Sequence, residues 1–293
     1  MQSTVLKRVA AIHDISCLGK CSLTVALPII SAAGVEVSVI PTAVLSTPTG
    51  GFENFTYRDL TEDMLPVAEH WTTTGADFDA FYTGFLGSAE QTEIVSRIFD
   101  KLKKDNTLII VDPVIGDNGK LYSVFDEQFP FEMKKLCSKA DIIVPNITEA
   151  FFMLGEEYRE GPYTEEFIDN ILVRLSKIGP SKVVLTGVYT DNEKIGAASY
   201  DAVTGKTDLI LNDRVEGFFH GTGDVFASVL TAGIMNGLTV SQAARVAADF
   251  TVAGIKRTKN ARTDQRLGIN FEFGLCRLYD DIIREKNKNT GEI

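Results

Sequence analysis

The stretch Thr107-Leu108-Ile109-Ile110-Val111-Asp112 is a short apolar run that ends in a carboxylate. An apolar run of this length is typical of a strand buried on both faces, as in a parallel sheet. The same pattern recurs along the chain. It predicts strands at 8–12, 35–40, 80–83, 107–111, 141–144 and 182–185, and a hairpin formed by 195–200 and 206–211.

Helical patterns separate these runs. They predict helices at 22–33, 92–105, 164–178, 224–236 and 240–259. Strands that alternate with helices predict an α/β fold, with a doubly wound, mostly parallel central sheet and helices on both faces. No linker or repeat divides the chain, so we expect a single domain over 1–285 and a polar C-terminal tail over 286–293.

The composition is that of an ordinary globular protein, with 44% hydrophobic residues, 24% charged residues and a formal net charge of −11. The acidic balance argues against a nucleic-acid partner. No apolar run approaches the roughly 18–20 residues that a membrane span needs. The four cysteines match neither a zinc site nor a disulfide framework. These features predict a cytoplasmic protein without a nucleic-acid or membrane partner.

Polar residues follow several of the predicted strands. Doubly wound sheets bind ligands at the carboxyl ends of their strands, so these residues are candidates for a shared site. They are Asp14, Gly84, Asp112, Asn146, Glu149, Thr186 and Gly187.

The segment His220-Gly221-Thr222-Gly223-Asp224 leads into the predicted helix at 224–236. Glycines beside a helix N-terminus allow backbone N–H groups to approach a phosphate, which predicts an anion hole. Asp224 would lie beside that phosphate, where a carboxylate can accept the proton of an attacking hydroxyl. The alternative is an N-capping Asp after a glycine turn.

Asp112, Asn146 and Glu149 form a second candidate group. Two carboxylates at neighbouring strand ends can hold hydrated Mg²⁺ on nucleotide phosphates. The alternative is helix capping by Asn146 and Glu149. Thr186-Gly187 suits contact with a nucleotide phosphate, and the loop at 47–51 is either a plain turn or a flap with a hydroxyl at Thr49.

These motifs resemble a known family. The segment from His220 to Asp224 resembles the anion-hole signature of ribokinase-like kinases. Three further segments are similar to the pyridoxal kinase branch: Asp112-Pro113-Val114-Ile115-Gly116, Pro145-Asn146-Ile147-Thr148-Glu149 and Gly84-Phe85-Leu86-Gly87-Ser88-Ala89-Glu90-Gln91. The Gly-Ser-Ala-Glu-Gln match is specific, whereas the other two are shared across the wider superfamily.

The resemblance implies a ribokinase-like fold and ATP-dependent phosphorylation of the 5′-hydroxyl of pyridoxal, pyridoxamine or pyridoxine. It also implies Mg²⁺, K⁺ and a homodimer. The implied roles are a base (Asp224), an anion hole (Gly221, Thr222, Gly223), Mg²⁺ ligands acting through water (Asp112, Glu149), ATP contacts (Asp112, Asn146, Glu149, Thr186, Gly187, Thr222) and substrate contacts (Asp14, Thr49, Phe85, Asp224).

Two departures from the family concern the substrate. The pair His13-Asp14 stands where family members have Gln-Ser, and an Asp there suits a protonated ring nitrogen or an amino group, which favours pyridoxamine. Phe85 stands where many members have Tyr, which keeps a stacking face without the hydroxyl. The roles of His13 and Cys17 stay open.

Three alternatives remain. Hydroxymethylpyrimidine kinases of thiamine synthesis are similar in the His-Gly-Thr-Gly segment but have Cys where Asp224 stands. Another ribokinase-like kinase, such as a sugar kinase, would have a longer N-terminal region with a lid. A non-catalytic ligand-binding protein on this fold would have lost Asp224 or Asp112, and this chain keeps both.

Overall fold

The protein is described by a computed structural model that covers residues 5–288. Within this range one large sheet is built from β1 (Arg8–Ser16), β2 (Glu36–Leu45), β3 (Tyr57–Asp59), β4 (Ala80–Thr83), β5 (Leu108–Val111), β8 (Ile142–Ile143), β9 (Lys182–Val188), β10 (Lys194–Asp201) and β11 (Lys206–Asp213). A small hairpin pairs β6 (Gly116–Asp117) with β7 (Lys120–Leu121).

The large sheet is parallel at its centre and antiparallel at both edges. Its order is β11-β10-β9-β8-β5-β4-β1-β2-β3. The pairs from β9 to β2 are all parallel, whereas β3, β10 and β11 are antiparallel to their neighbours. The carboxyl ends of the parallel strands therefore meet at one edge of the sheet.

Helices cover both faces of the sheet. Their bounds are α1 (Leu23–Ala32), α2 (Thr61–Thr74), α3 (Ala89–Leu102), α4 (Phe129–Cys137), α5 (Ile147–Leu154), α6 (Glu165–Ser176), α7 (Thr222–Met235), α8 (Val240–Ala261) and α9 (Glu272–Asn287). Helices α2 to α6 share one apolar core with the sheet, and α1, α7, α8 and α9 share the other. Along residues 5–288 no helix is both long and apolar enough to cross a membrane.

Local sequence explains where several helices begin. The side chain of Ser88 accepts a hydrogen bond from the Gln91 N–H at the start of α3. Thr239 and Gln242 form a reciprocal capping box at the start of α8. Each cap satisfies a backbone N–H that the helix leaves unpaired, so these residue types mark the helix ends in the sequence.

The predicted fold class is confirmed. Some predicted elements have other ends in the structure, and the structure contains helices that were not predicted. Strands β1 and β2 continue beyond residues 12 and 40 because their pairing continues as far as Ser16 and Leu45. Helix α7 begins at Thr222, two residues before the predicted start. Helices α2, α4, α5 and α9 were not predicted. Helix α9 extends to Asn287, inside the predicted tail, and residues 289–293 of that tail lie outside the described residues.

Candidate active site

A cavity of about 770 Å³ opens at the carboxyl ends of the parallel strands. The structure brings all the predicted site residues except Gly84 to its wall. These residues are Asp14, Thr49, Phe85, Asp112, Asn146, Glu149, Thr186, Gly187, Gly221, Thr222, Gly223 and Asp224. Asp14 and the pair Thr186-Gly187 lie within β1 and β9 rather than after them, because both strands are longer than predicted.

The N-terminus of α7 is shaped to receive an anion. Gly221 is the N-cap residue at φ +70°, and no side chain caps the helix. A Cβ at Gly221 would stand 2.1 Å from the Lys20 carbonyl oxygen, so only glycine fits there. The first N–H groups of the helix therefore have no side-chain partner, and residues 221–224 bring them and the positive end of the helix dipole to the cavity wall.

Asp224 lies in the first turn of α7, so the helix both places it and favours its negative charge. Burial nevertheless raises the pKa of Asp224 to about 7, and the charge of Asp14 adds to that shift. A hydrogen bond from the Ser22 backbone N–H opposes it. A carboxylate with a pKa near 7 can accept and release a proton at neutral pH.

Glu149 and Asn146 form a capping box at the start of α5. The Glu149 carboxylate accepts the Asn146 N–H at 2.7 Å and the Ile115 N–H at 3.0 Å. The Asn146 amide group donates to the Gly116 carbonyl at 2.8 Å. The helix capping that the sequence offered as the alternative for these two residues is therefore observed, and these hydrogen bonds fix Glu149 at the cavity wall.

Asp112 differs from Glu149 because none of the described residues donates a hydrogen bond to its carboxylate. Burial, with the nearby charges of Glu149 and Asp224, raises its pKa well above the ordinary value. Among residues 5–288 no group of three or more His, Cys, Asp or Glu side chains forms a metal cage. Two carboxylates still fit Mg²⁺, because that ion keeps several waters and takes its other ligands from phosphates.

Thr186 and Gly187 lie at an irregularity in β9. Gly187 has φ +74°, and the register against β10 shifts between Gly196 and Ala197. Such bulges change the direction of the backbone and the side chains near them. The Thr186 hydroxyl reaches the Pro145 carbonyl at 3.5 Å, so this strand end is joined to the loop before α5.

The loop at 47–51 contacts the segment from His220 to Asp224. A Cβ at Gly50 would stand 2.9 Å from the His220 ring, so this ring packs against the loop backbone only because residue 50 is glycine. Phe52, just beyond, stacks under the Arg266 guanidinium at 5.1 Å. Contacts on the C-terminal side of Thr49 therefore hold this residue at the cavity wall.

His13, the neighbour of Asp14, does not line the cavity. It is completely buried and packs edge-on against Tyr82, with ring centroids 4.4 Å apart. Burial lowers its pKa to about 3, so the imidazole is neutral. A Cβ at Gly84 would stand 2.2 Å from its Nδ1 atom, which explains the glycine after β4.

The sequence analysis missed the β6–β7 hairpin, which places Asp117, Asn118 and Lys120 on the cavity wall. Lys120 is the sole Lys or Arg among the described residues that line the cavity. Asn118 and Gly119 have φ +51° and +74°, as a tight hairpin turn requires. The Asn-Gly dipeptide was the available signal.

An apolar wall was also missed. It is formed by residues from β10, α7 and α8: Ile195, Phe226, Ala248, Val252 and Ile255. These residues are far apart in the chain, and no local pattern marks them as members of one site.

Three comparisons place the chain among known proteins. The family model described as phosphomethylpyrimidine kinase matches residues 27–268. A relative in Bordetella avium named pyridoxine/pyridoxal/pyridoxamine kinase is 27% identical over 264 residues, covering 85% of this chain and 84% of the relative.

Two solved structures are similar to this chain over almost its whole length. A Bacteroides thetaiotaomicron protein assigned as a phosphomethylpyrimidine kinase and crystallised with pyridoxal is 38% identical, with a TM-score of 0.89 over 94% of this chain and 96% of that one. The pyridoxal kinase from Lactobacillus plantarum is 29% identical, with a TM-score of 0.85 over 97% and 99%.

Proposed function

The chain belongs to the phosphomethylpyrimidine kinase family, and we propose that it transfers the γ-phosphoryl group of ATP to the 5′-hydroxyl of the B6 vitamers pyridoxal, pyridoxamine and pyridoxine. One observation carries the proposal: the uncapped N-terminus of α7 and the Asp224 carboxylate line the same cavity as Asp112 and Glu149. A phosphate site, a base and a pair of metal-binding carboxylates are the parts that phosphoryl transfer needs.

Asp224 accepts the proton of the acceptor hydroxyl while the oxygen of that hydroxyl bonds to the γ-phosphorus. The bond from that phosphorus to the bridging oxygen breaks, and ADP leaves. The N–H groups of Gly221, Thr222 and Gly223 stabilise the negative charge of the transferring group. Because the pKa of Asp224 is about 7, kcat/KM should rise with pH through about 7 as the carboxylate loses its proton.

Asp112 and Glu149 would hold Mg²⁺ through water. The ion supplies charge that offsets the phosphates of ATP. Asp112 is the stronger candidate because its oxygens have no donor among the described residues, whereas both Glu149 oxygens accept backbone N–H groups. We expect Asp112→Ala to raise the Mg²⁺ concentration needed for half-maximal rate, and an unchanged Mg²⁺ dependence would remove this role.

Thr186, Gly187 and Thr222 line the side of the cavity assigned to ATP, and Asn146 orders that side through its amide hydrogen bonds. The apolar wall of β10, α7 and α8 suits the adenine ring. Phe85, which is 9% exposed, offers a face for the vitamer ring, and Thr49 offers a hydroxyl at the cavity wall.

The proposal also includes a requirement for K⁺, a homodimer and a cytoplasmic location. The first two rest on the motif resemblance, and the third rests on composition. Turnover in K⁺ against Na⁺ buffers tests the first. Sedimentation equilibrium tests the second, and fractionation of the source cells tests the third.

The test is ATP consumption by the purified protein with Mg²⁺ and K⁺, against each B6 vitamer and against hydroxymethylpyrimidine. We expect turnover on B6 vitamers, and its loss in Asp224→Asn with ATP binding retained. Asp169→Asn, an exposed Asp on α6, is the matched control and should keep full activity. Turnover on hydroxymethylpyrimidine alone would move the chain to the other activity of its family, and retained turnover in Asp224→Asn would exclude Asp224 as the base.

A further inference from the structure

Asp14 lies at an irregular point of β1. The register between β1 and β2 shifts between His13 and Ile15, so Asp14 has no regular partner on the neighbouring strand. Such irregularities change the direction of a side chain, and they are common beside active sites. Asp14 is 4% exposed and lines the cavity, so its carboxylate is buried except towards the ligand space.

The surroundings of the Asp14 carboxylate contain hydroxyl groups but no cation. The Ser16 hydroxyl donates to it at 3.2 Å, and the Ser22 hydroxyl also hydrogen-bonds it. Burial raises the pKa of Asp14, and no Lys or Arg among the described residues opposes that shift. The two cations nearest in sequence pair with other carboxylates, Arg8 with Glu36 and Lys20 with Glu272, each at 2.9 Å.

The other titratable groups near Asp14 do not supply a positive charge either. They are Asp224, Cys21 and Tyr57. His13 is buried and neutral. Residues 5–288 contain no group of three or more metal-ligating side chains at this point, and the Asp14 carboxylate, unlike that of Asp112, already accepts hydrogen bonds from two hydroxyls. A buried carboxylate without a counter-charge is unfavourable, and a cationic ligand in the cavity would supply the missing charge.

We propose that Asp14 recognises a protonated nitrogen of the acceptor substrate and thereby selects cationic acceptors. This inference rests on the proposed function. The B6 vitamers offer two such nitrogens: the ring nitrogen, which all of them share, and the aminomethyl group of pyridoxamine, which lies on the ring carbon next to the hydroxymethyl group. Asp14 and Asp224 both hydrogen-bond Ser22, so one ligand can reach both carboxylates.

The test compares wild type with Asp14→Asn, which keeps the size and removes the charge. We expect kcat/KM to fall about 10- to 100-fold, the loss that one charge-assisted hydrogen bond implies. A loss confined to pyridoxamine assigns the aminomethyl group, and an equal loss on pyridoxamine and pyridoxine assigns the ring nitrogen. Values within twofold of wild type on both vitamers would overturn the inference.

Two further measurements keep the outcome interpretable. Asp14→Ser, a smaller neutral replacement, repeats the comparison if the Asn variant does not fold, and Asp169→Asn should behave as wild type.

Calorimetric Kd values for pyridoxamine and pyridoxine, with a non-hydrolysable ATP analogue present, do not depend on turnover. Wild type that binds a vitamer without phosphorylating it would refute the proposed function, while the Kd change in Asp14→Asn would still decide the role of Asp14. Wild type that binds neither vitamer would refute both.

Discussion

Replacing Asp224 with Asn should make the protein more stable at alkaline pH while it removes turnover. The carboxyl group lies in the first turn of α7, and burial together with the charge of Asp14 raises its pKa from 3.8 to about 7. The charged form is therefore disfavoured in the folded protein. Asn keeps the shape of the side chain and cannot ionise.

The size of the effect follows from the pKa shift. The folded state binds the Asp224 proton more tightly than the unfolded state, so its contribution to stability is full below pH 4 and is lost as pH rises through about 7. A shift of about 3 pKa units corresponds to about 4 kcal/mol. We expect Asp224→Asn to raise the free energy of unfolding by up to about 4 kcal/mol at pH 8, but by only about 2 kcal/mol at pH 5.

Urea unfolding at pH 5 and pH 8 measures both values, with ATP consumption recorded on the same samples. The exposed control, Asp169→Asn, should change stability little and equally at the two pH values. A variant that is less stable than wild type at pH 8, or whose gain is the same at both pH values, would refute the argument. Asp224 would then be charged and well solvated in the folded protein.

Three further substitutions test local features. Gly84→Ala should lower the free energy of unfolding by about 1–3 kcal/mol in urea, because its Cβ would stand 2.2 Å from the His13 ring, and adding His13→Ala should restore part of the loss. Gly221→Ala should lower kcat at least about tenfold in steady-state assays, because the new Cβ would displace the Lys20 carbonyl at the anion site. Thr239→Ala should lower the unfolding free energy by about 1 kcal/mol and leave kcat unchanged. Thr239→Ser keeps the capping hydroxyl and should leave both quantities unchanged.

Much of the fold was predictable because its signals are local. The run ending at Val111 and the apolar spacing in α3 are properties of a few consecutive residues, and they indicate a strand and a helix without knowledge of the partners. The alternation of such elements then restricts the topology to a parallel sheet with right-handed connections. Helix α2 was missed, because only Met64 and Ala68 are buried in it and its apolar pattern is correspondingly weak.

The residues of the site were predictable for a related reason. Parallel strands point their carboxyl ends the same way, so polar residues that follow separate strands meet at one edge. Asp112 and Glu149 are an example: they are far apart in sequence, and both line the cavity. Their roles remain predictions, because the position of a side chain does not by itself establish what it does.

The sequence by itself determined the α/β class and which polar motifs gather at one edge of the sheet, since both depend on short-range pattern and chain direction. Only the tertiary structure decided the charge of that site. The pKa of Asp224 depends on burial and on Asp14, and Asp14 itself is buried without a Lys or Arg partner among the described residues. Burial and charge pairing are sums over neighbours from distant parts of the chain, and no local stretch of sequence contains them.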